Sequence, residues 1–306
     1  MAVFDTHVVV DWSARSTPSP VRPTKDAIWW AVARDGAVEA PEYIRTRHEA
    51  VARLEALLAA EIAAGRRVLV GFDFPFGYPA GVAEHLTGRA SACALWDWVT
   101  ARIDDRPDNG NNRYAVAEEI NRCYPGVGPC WGRPATWDHP GVPTRARHRT
   151  CRESHPPERR ISDEHARGAK TLWQLAYAGS VGSQALLGLP ALARLSRGPA
   201  LAGRVSVWPL DGKLRLPDEP VVLAELYPSL LRAAVARLRE PGEILDRAQV
   251  RINALAYARL DARGGLAPLF AGAPSLTAQQ RGVVETEEAW VLGLGHEEAL
   301  DAVLRA

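Results

Sequence analysis

Short apolar runs alternate with helical patterns along the chain, which is typical of an α/β protein. Residues 7–11 (His-Val-Val-Val-Asp) predict a buried strand that ends in an acid. Residues 27–33 and 37–46 predict a hairpin, because the turn sequence Arg34-Asp35-Gly36 separates two strand-like runs. The chain is therefore expected to begin with an antiparallel meander.

A helix and a second acidic strand follow the meander. Residues 48–64 place apolar side chains at helical spacing, and Gly65 ends that helix. Residues 67–73 (Arg-Val-Leu-Val-Gly-Phe-Asp) predict another buried strand that ends in an acid. Because a helix precedes this strand, we expect it to run parallel to the first one.

The pattern changes in the middle of the chain and returns near its end. Residues 79–203 combine helical stretches with an irregular segment rich in Pro, Gly, Arg and His, and segments of this kind are usually functional or mobile. Two strands and two helices are then expected at residues 204–208, 221–225, 229–239 and 246–263.

Length and composition fit a globular protein. The chain has 306 residues, of which 47% are hydrophobic and 24% charged, and such values argue against disorder. We predict one α/β domain over residues 1–306, with its core in residues 5–78 and 204–306 and a large, mostly helical and irregular insertion or cap at residues 79–203. Its mixed sheet is expected to combine an antiparallel meander with parallel strands and to be flanked by helices.

Charge, cysteine spacing and hydropathy bear on location and partners. The net charge is +1 at pH 7, so any site for a polyanion must be a local patch. The four cysteines include no CxxC pair, which indicates free thiols in a reducing compartment. No apolar run reaches the length of a membrane span, and residues 1–7 lack a signal-peptide pattern. We expect a cytoplasmic protein with no membrane partner.

Carboxylates recur where the predicted strands end. Asp11, Asp73 and Glu225 each close a strand, and Asp246 opens the late helix. Ligands of open α/β sheets bind outside the carboxyl ends of the strands, and acids there tend to share a cleft because burying an unpaired charge is costly. Four carboxylates in one place repel one another and need a cation, for which Mg²⁺ or Mn²⁺ suits the hard oxygen ligands. The alternative is that each acid caps a helix or pairs with an arginine.

The order of three short motifs resembles a known family. Val-Val-Asp11-Trp-Ser, followed by a hairpin, a helix and Gly-Phe-Asp73-Phe-Pro, is similar to the ribonuclease-H-like superfamily. More narrowly, these motifs and Ala-Glu225-Leu-Tyr-Pro resemble the predicted RNase-H-like nuclease family known as domain of unknown function 429. The resemblance covers both ends of the chain but not its middle, and it implies a ribonuclease-H-like fold and a metal-dependent nuclease.

The resemblance has one departure and one competitor. In the closing helix, where that family typically carries an acid, this chain has Asn253, and the nearest acid is Asp246, two helical turns earlier on the same face. Either Asp246 replaces the missing ligand or a second metal is lost. Chains with similar Gly-Phe-Asp-Phe-Pro and Gly-Ser-Val-Gly-Ser-Gln stretches are identified as molybdopterin guanine dinucleotide synthesis proteins, which implies a role in cofactor biosynthesis instead.

Candidates for substrate binding lie in the middle segment and beside the acids. Arginines interleaved with tryptophans suit phosphate contacts and base stacking, and a glycine-bearing turn before a helix can hold an anion with backbone N–H groups. The alternatives are a solvated loop and an ordinary turn between helices. The candidate substrate-binding residues are Ser13, Arg159, Arg160, Lys170, Trp173, Gln174, Ser180, Gly182, Ser183, Gln184 and Asn253.

Three functional hypotheses follow. The first is a phosphodiester hydrolase acting on nucleic acid, with Asp11, Asp73, Glu225 and Asp246 as catalytic residues and as ligands of Mg²⁺ or Mn²⁺. The second is a small-molecule or nucleotide phosphotransferase, a class that includes the cofactor-biosynthesis role. The third is a binding protein that has kept the fold and lost the chemistry. The expected partner is nucleic acid or a nucleotide-like phosphate.

Overall fold

The computed structural model describes residues 2–211 and 213–305. Its strands are β1 (Thr6–Asp11), β2 (Ile28–Arg34), β3 (Ala37–Val38), β4 (Glu42–Ile44), β5 (Val68–Phe72), β6 (Val205–Trp208) and β7 (Val221–Glu225). They form one seven-stranded sheet in the order β3-β2-β1-β5-β7-β6, in which β4 also pairs with β2.

The sheet changes from antiparallel to parallel pairing at β1. Strand β2 is antiparallel to β1, β3 and β4, whereas the β1–β5, β5–β7 and β6–β7 pairs are parallel. The predicted meander and the predicted parallel pairing of the first two acidic strands are therefore confirmed. The chain is an α/β protein with a mixed sheet flanked by helices.

Helices lie between and after the strands. The α-helices of the described residues are α1 (Arg47–Ala63), α2 (Val82–Thr87), α3 (Ala92–Thr100), α4 (Arg113–Arg122), α5 (Ile161–His165), α6 (Gly182–Arg197), α7 (Arg232–Leu238), α8 (Leu245–Ala262), α9 (Ala278–Val283) and α10 (Glu297–Ala302). Short 3-10 turns are present at Ala146–His148, Arg152–Ser154, Pro228–Leu231 and Ala267–Ala271, and a π-helical turn at Val284–Glu288. The helix expected at residues 229–239 is thus divided, because its first turn begins at a proline and is 3-10 before α7 continues.

Alternate positions along the strands supply two hydrophobic layers. Val10 and Phe72 pack on one face of the sheet with side chains of α6, whereas Val9 and Leu69 pack on the other face with side chains of α8. Residues 79–203, all of which the structure describes, add no strand to this sheet. Their last helix, α6, nevertheless forms part of the core.

Two further expectations concern cysteines and membranes. Cys93, Cys123, Cys130 and Cys151 are all free, as the sequence predicts. Within the two described ranges, none of the helices combines the length and the apolar character that a membrane crossing requires.

Candidate functional site

A cleft of about 760 Å³ lies at the carboxyl ends of β1 and β5. Asp11 is the last residue of β1 and Asp73 follows β5; because the strands are parallel neighbours with Val10 opposite Phe72, the two acids emerge side by side. Asp246, in the first turn of α8, lines the same cleft. We call this space the acidic cleft, since it brings together Asp11, Asp73 and Asp246.

Three of the aspartates that line the acidic cleft, Asp11, Asp73 and Asp246, have crowded carboxyl groups. Those of Asp11 and Asp73 are hydrogen-bonded to each other, and the backbone N–H groups of Trp12 and Asp26 donate to Asp73 Oδ1 and Asp246 Oδ2, both at 2.7 Å. Burial raises the pKa of Asp11 well above its usual range, and the charges of Asp73 and Asp246 raise it further. Burial also raises the pKa of Asp73 and of Asp246. In the part of the chain that the structure describes, none of the three forms a salt bridge.

Glu225 does not join the acidic cleft, which corrects the prediction of a four-acid site. It lies opposite Phe72 in the β5–β7 pair, and since Phe72 also faces Val10, strand alternation sends the side chain of Glu225 to the face opposite that of Asp11. There the two carboxylate oxygens accept from Arg160 at 2.6 and 2.7 Å. Glu225 is 3% exposed and Arg160 1%, so this is a buried structural salt bridge.

Arg160 is consequently not available to hold a substrate phosphate, contrary to the sequence-based expectation. Its guanidinium also donates to Asp163 at 2.9 and 3.1 Å and to the carbonyl of Glu288 at 2.9 Å. Two buried acids and a carbonyl therefore satisfy its donors. Arg159 is exposed, lies outside the acidic cleft, and has no hydrogen bond or salt bridge to any described residue.

Trp173 and Gln174 do not face the acidic cleft either. The indole of Trp173 is fully buried, donates to the carbonyl of Pro157 at 2.9 Å and packs against Tyr78 with ring centroids 5.4 Å apart. It is a core residue rather than a surface for stacking bases. The side-chain amide of Gln174 donates to a neighbouring backbone carbonyl at 2.9 Å. Lys170 is exposed and lines a small cavity of about 40 Å³, which Asp73 and the Glu225–Arg160 salt bridge also line.

Four of the predicted substrate-binding residues do line the acidic cleft. They are Ser13, Ser180, Ser183 and Gln184. The side-chain amide of Gln184 donates to the carbonyl of Trp12 at 2.6 Å. This hydrogen bond connects the start of α6 to the residue that follows Asp11. The hydroxyls of Ser13 and Ser183 donate to backbone carbonyls at 2.7 and 2.6 Å, so both also hold the walls of the cleft in place.

Two other candidates have packing roles. A Cβ atom on Gly182 would lie 2.1 Å from the carbonyl oxygen of Leu172, so the glycine is needed for close packing at the start of α6. Asn253 is 2% exposed in α8 and donates its amide to the carbonyl of Gln249 at 2.9 Å. The residues of α8 that reach the acidic cleft are Asp246 and Gln249. Asn253 is therefore a buried packing residue of α8, and this role accounts for it without assuming that a metal ligand was lost at this position.

The acidic cleft also contains cations that the sequence motifs did not indicate. Arg15, Lys25 and Arg113 line it together with the acids. Arg113 begins α4 and donates to the hydroxyl of Ser183 at 2.9 Å, whereas the Nε of Arg15 is buried without a hydrogen-bond partner among the described residues. Arg15 and Lys25 lie in the loop that follows Asp11, and this proximity is the only sequence signal for them.

The number of acids limits the kind of metal site that this cleft can form. Within residues 2–211 and 213–305, no three His, Cys, Asp or Glu side chains are grouped so that they could hold a metal ion. Asp11 and Asp73 are therefore a pair of candidate ligands, with Asp246 nearby. A site built from all four predicted acids is not present, because Glu225 is bound to Arg160.

Comparison of this chain with models of known families, with curated proteins and with solved structures finds no match.

Proposed function

We propose that this protein is a divalent-metal-dependent phosphodiester hydrolase with a ribonuclease-H-like fold that acts on nucleic acid. The observation that carries the proposal is the Asp11–Asp73 pair, two half-buried carboxyl groups in mutual contact that form no salt bridge with any described residue. The antiparallel meander followed by parallel strands is the arrangement that the resemblance to ribonuclease-H-like proteins implies. The pair lies at the strand ends where that resemblance expects its acids.

The Asp11–Asp73 pair has the chemistry of a site for Mg²⁺ or Mn²⁺. Two carboxylates in hydrogen-bond contact repel each other unless a proton or a cation joins them. Magnesium is usually bound by one or two carboxylates, with water and substrate phosphate oxygens as its other ligands, so a third protein ligand is not required. A bound ion of this kind neutralises charge on a phosphate and lowers the pKa of water.

The cations of the acidic cleft support a phosphate ester as the substrate. Asp11, Asp73 and Asp246 alone would repel an anion, whereas Arg15, Lys25 and Arg113 on the same cleft attract one. Contacts of this type position a phosphate backbone without reading its sequence. The mixed lining therefore suits a substrate whose phosphate lies between carboxylates and cations.

A small-molecule phosphate ester is the second candidate substrate. The volume of the acidic cleft, about 760 Å³, lies in the range that is usual for small-molecule sites. A cleft of this volume supports the phosphotransferase or cofactor-biosynthesis hypothesis.

The proposal is tested with four end-labelled substrates: single-stranded RNA, single-stranded DNA, duplex RNA and duplex DNA. Each is incubated with the protein in Mg²⁺, Mn²⁺ or EDTA. We expect metal-dependent cleavage by the wild type and its loss in Asp11→Asn. Asp138→Asn is the matched control, because Asp138 is exposed and lies outside the acidic cleft, and it should retain activity. A folded wild-type protein that is inert on all four substrates with both metals contradicts the proposal, and hydrolysis confined to mononucleotides or sugar phosphates favours the second candidate.

A further inference from the structure

Tyr177 is an exposed aromatic residue on the wall of the acidic cleft. It is 57% exposed and lines the cleft with its neighbours Ala176, Ala178 and Gly179, none of which has a side chain long enough to cover the ring. It begins a turn that Ser180 closes by donating its backbone N–H to the carbonyl of Tyr177 at 3.0 Å. Tyr177 thus lines the same space as the acid pair.

The backbone of Tyr177 is in the left-handed region, with φ of 78°. A bulky side chain is a genuine outlier there, and a turn of this kind would normally carry Gly or Asn. Such conformations persist mainly at binding and active sites, where surrounding contacts hold them. Here the phenolic hydroxyl donates to the carbonyl of Arg133 at 3.2 Å, which fixes the ring against the adjacent loop. Exposure and backbone strain therefore coincide at a residue that lines the acidic cleft.

We propose that Tyr177 is a stacking platform for an unpaired nucleobase of the strand whose phosphate lies at Asp11 and Asp73. This inference rests on the proposed function. Every nucleobase has a flat face that can stack on an aromatic side chain, so this contact needs no sequence preference. A base that is paired and stacked inside a duplex has no free face, so the preferred ligand is a single strand.

A second groove supports an extended strand rather than a mononucleotide. It has a volume of about 800 Å³ and shares Lys25, Asp26 and Asp246 with the acidic cleft. Arg22 also lines it, and neither Arg22 nor Lys25 forms a salt bridge to any residue that the structure describes. Phosphates next to the reacting one can therefore follow these cations out of the acidic cleft.

Binding of a fluorescein-labelled single-stranded thymidine oligonucleotide, followed by anisotropy, tests the platform. The buffer contains Ca²⁺ in place of Mg²⁺, and gels check that the probe stays intact. Tyr177→Ala should weaken binding about tenfold, which is the usual effect of losing one base–aromatic stack. Tyr177→Phe is the matched control, because it keeps the ring and loses only the hydroxyl and its hydrogen bond to Arg133, and it should bind much more tightly than Tyr177→Ala. An abasic oligonucleotide of equal length should bind equally to all three proteins.

Several outcomes overturn the platform. The first two are unchanged binding by Tyr177→Ala and an equal loss of affinity in Tyr177→Ala for the normal and the abasic oligonucleotide. The others are a duplex or thymidine monophosphate that binds as tightly as the single strand, and no binding by the wild type. If Tyr177→Ala does not fold, Tyr177→Gly replaces it, because glycine adopts this φ without strain. A protein that cleaves nothing yet shows Tyr177-dependent base recognition refutes the hydrolase and keeps the platform. An active enzyme without such recognition refutes only the platform.

Discussion

Asp11→Asn should make the metal-free protein more stable at alkaline pH. The substitution removes one of two half-buried carboxyl groups in contact, and its amide can still donate to Asp73 as the shared proton does. Two full charges about 4 Å apart repel each other by about 4 kcal/mol at an effective dielectric constant of about 20. This is an upper bound, because the wild-type pair avoids most of the repulsion by keeping a proton.

The retained proton sets the sign of the pH dependence. Burial and the neighbouring carboxylates raise the pKa of Asp11 in the folded protein above its value in the unfolded chain. Between the unfolded pKa of about 4 and the raised folded pKa, the folded state therefore binds more protons than the unfolded state. Across this window the free energy of unfolding falls as pH rises, by up to about 1.4 kcal/mol per pH unit for one proton. Asp11→Asn lacks the part of this decline that Asp11 contributes, whereas Asp73 and Asp246, whose pKa values burial also raises, keep theirs.

Urea unfolding in EDTA at several pH values between about 5 and 8 measures the effect. The difference in stability between Asp11→Asn and the wild type should grow with pH and exceed about 1.4 kcal/mol at the alkaline end. Asp138→Asn should follow the wild type, because its carboxylate is exposed and outside the cleft. Parallel pH profiles for Asp11→Asn and the wild type, or a variant that is less stable at alkaline pH, would refute the reasoning.

Three further predictions separate the acidic cleft from its surroundings. Glu225→Gln should lower the free energy of unfolding by about 3 kcal/mol, because it leaves the buried Arg160 partly unpaired. Calorimetry should nevertheless find the same Mg²⁺ affinity as for the wild type. A weaker Mg²⁺ affinity would show that Glu225 is a metal ligand. Mg²⁺ should raise the Tm of the wild type but not of Asp73→Asn, and an equal rise in both would exclude Asp73 as a ligand. Lys25→Ala should reduce the slope of log affinity against log salt for a single strand by about 0.7, and an unchanged slope would place the phosphates elsewhere.

The sequence predicted the opening meander, the parallel pairing of β1 with β5 and two acids of the acidic cleft. Residues 7–11 and 67–73 are apolar runs that end in aspartate, and a helix before the second run favours a crossover that makes the strands parallel. Two parallel neighbours bring their carboxyl ends to one edge, so Asp11 and Asp73 were predictable together. Asp246 was predictable only as the acid that opens a helix.

The place of Glu225 could not be read from the sequence, because it depends on strand register. An apolar run that ends in an acid looks the same whether the acid aligns with Asp73 or with Phe72, yet a shift of one residue moves the side chain to the other face. The pair formed by Glu225 and Arg160 is equally hidden, because 65 positions separate the two residues. Pairing between distant residues is fixed by the packing of the middle segment.

Residue type alone also led to wrong candidates for substrate binding. Arginines and tryptophans are typical of phosphate and base contacts, but Arg160 and Trp173 are buried with internal partners. Tyr177 carries no motif, and what distinguishes it is a positive φ and an exposed ring. Both are properties of the folded chain that neither composition nor periodicity encodes.

The central claim is that Asp11 and Asp73 together bind one divalent cation. A crystal soaked in MnCl₂ and measured at the manganese absorption edge tests it most directly. The account predicts an anomalous peak within coordination distance of both carboxylates, and none at Glu225, where Arg160 occupies the oxygens. A map without a peak between Asp11 and Asp73 at saturating Mn²⁺ would contradict it.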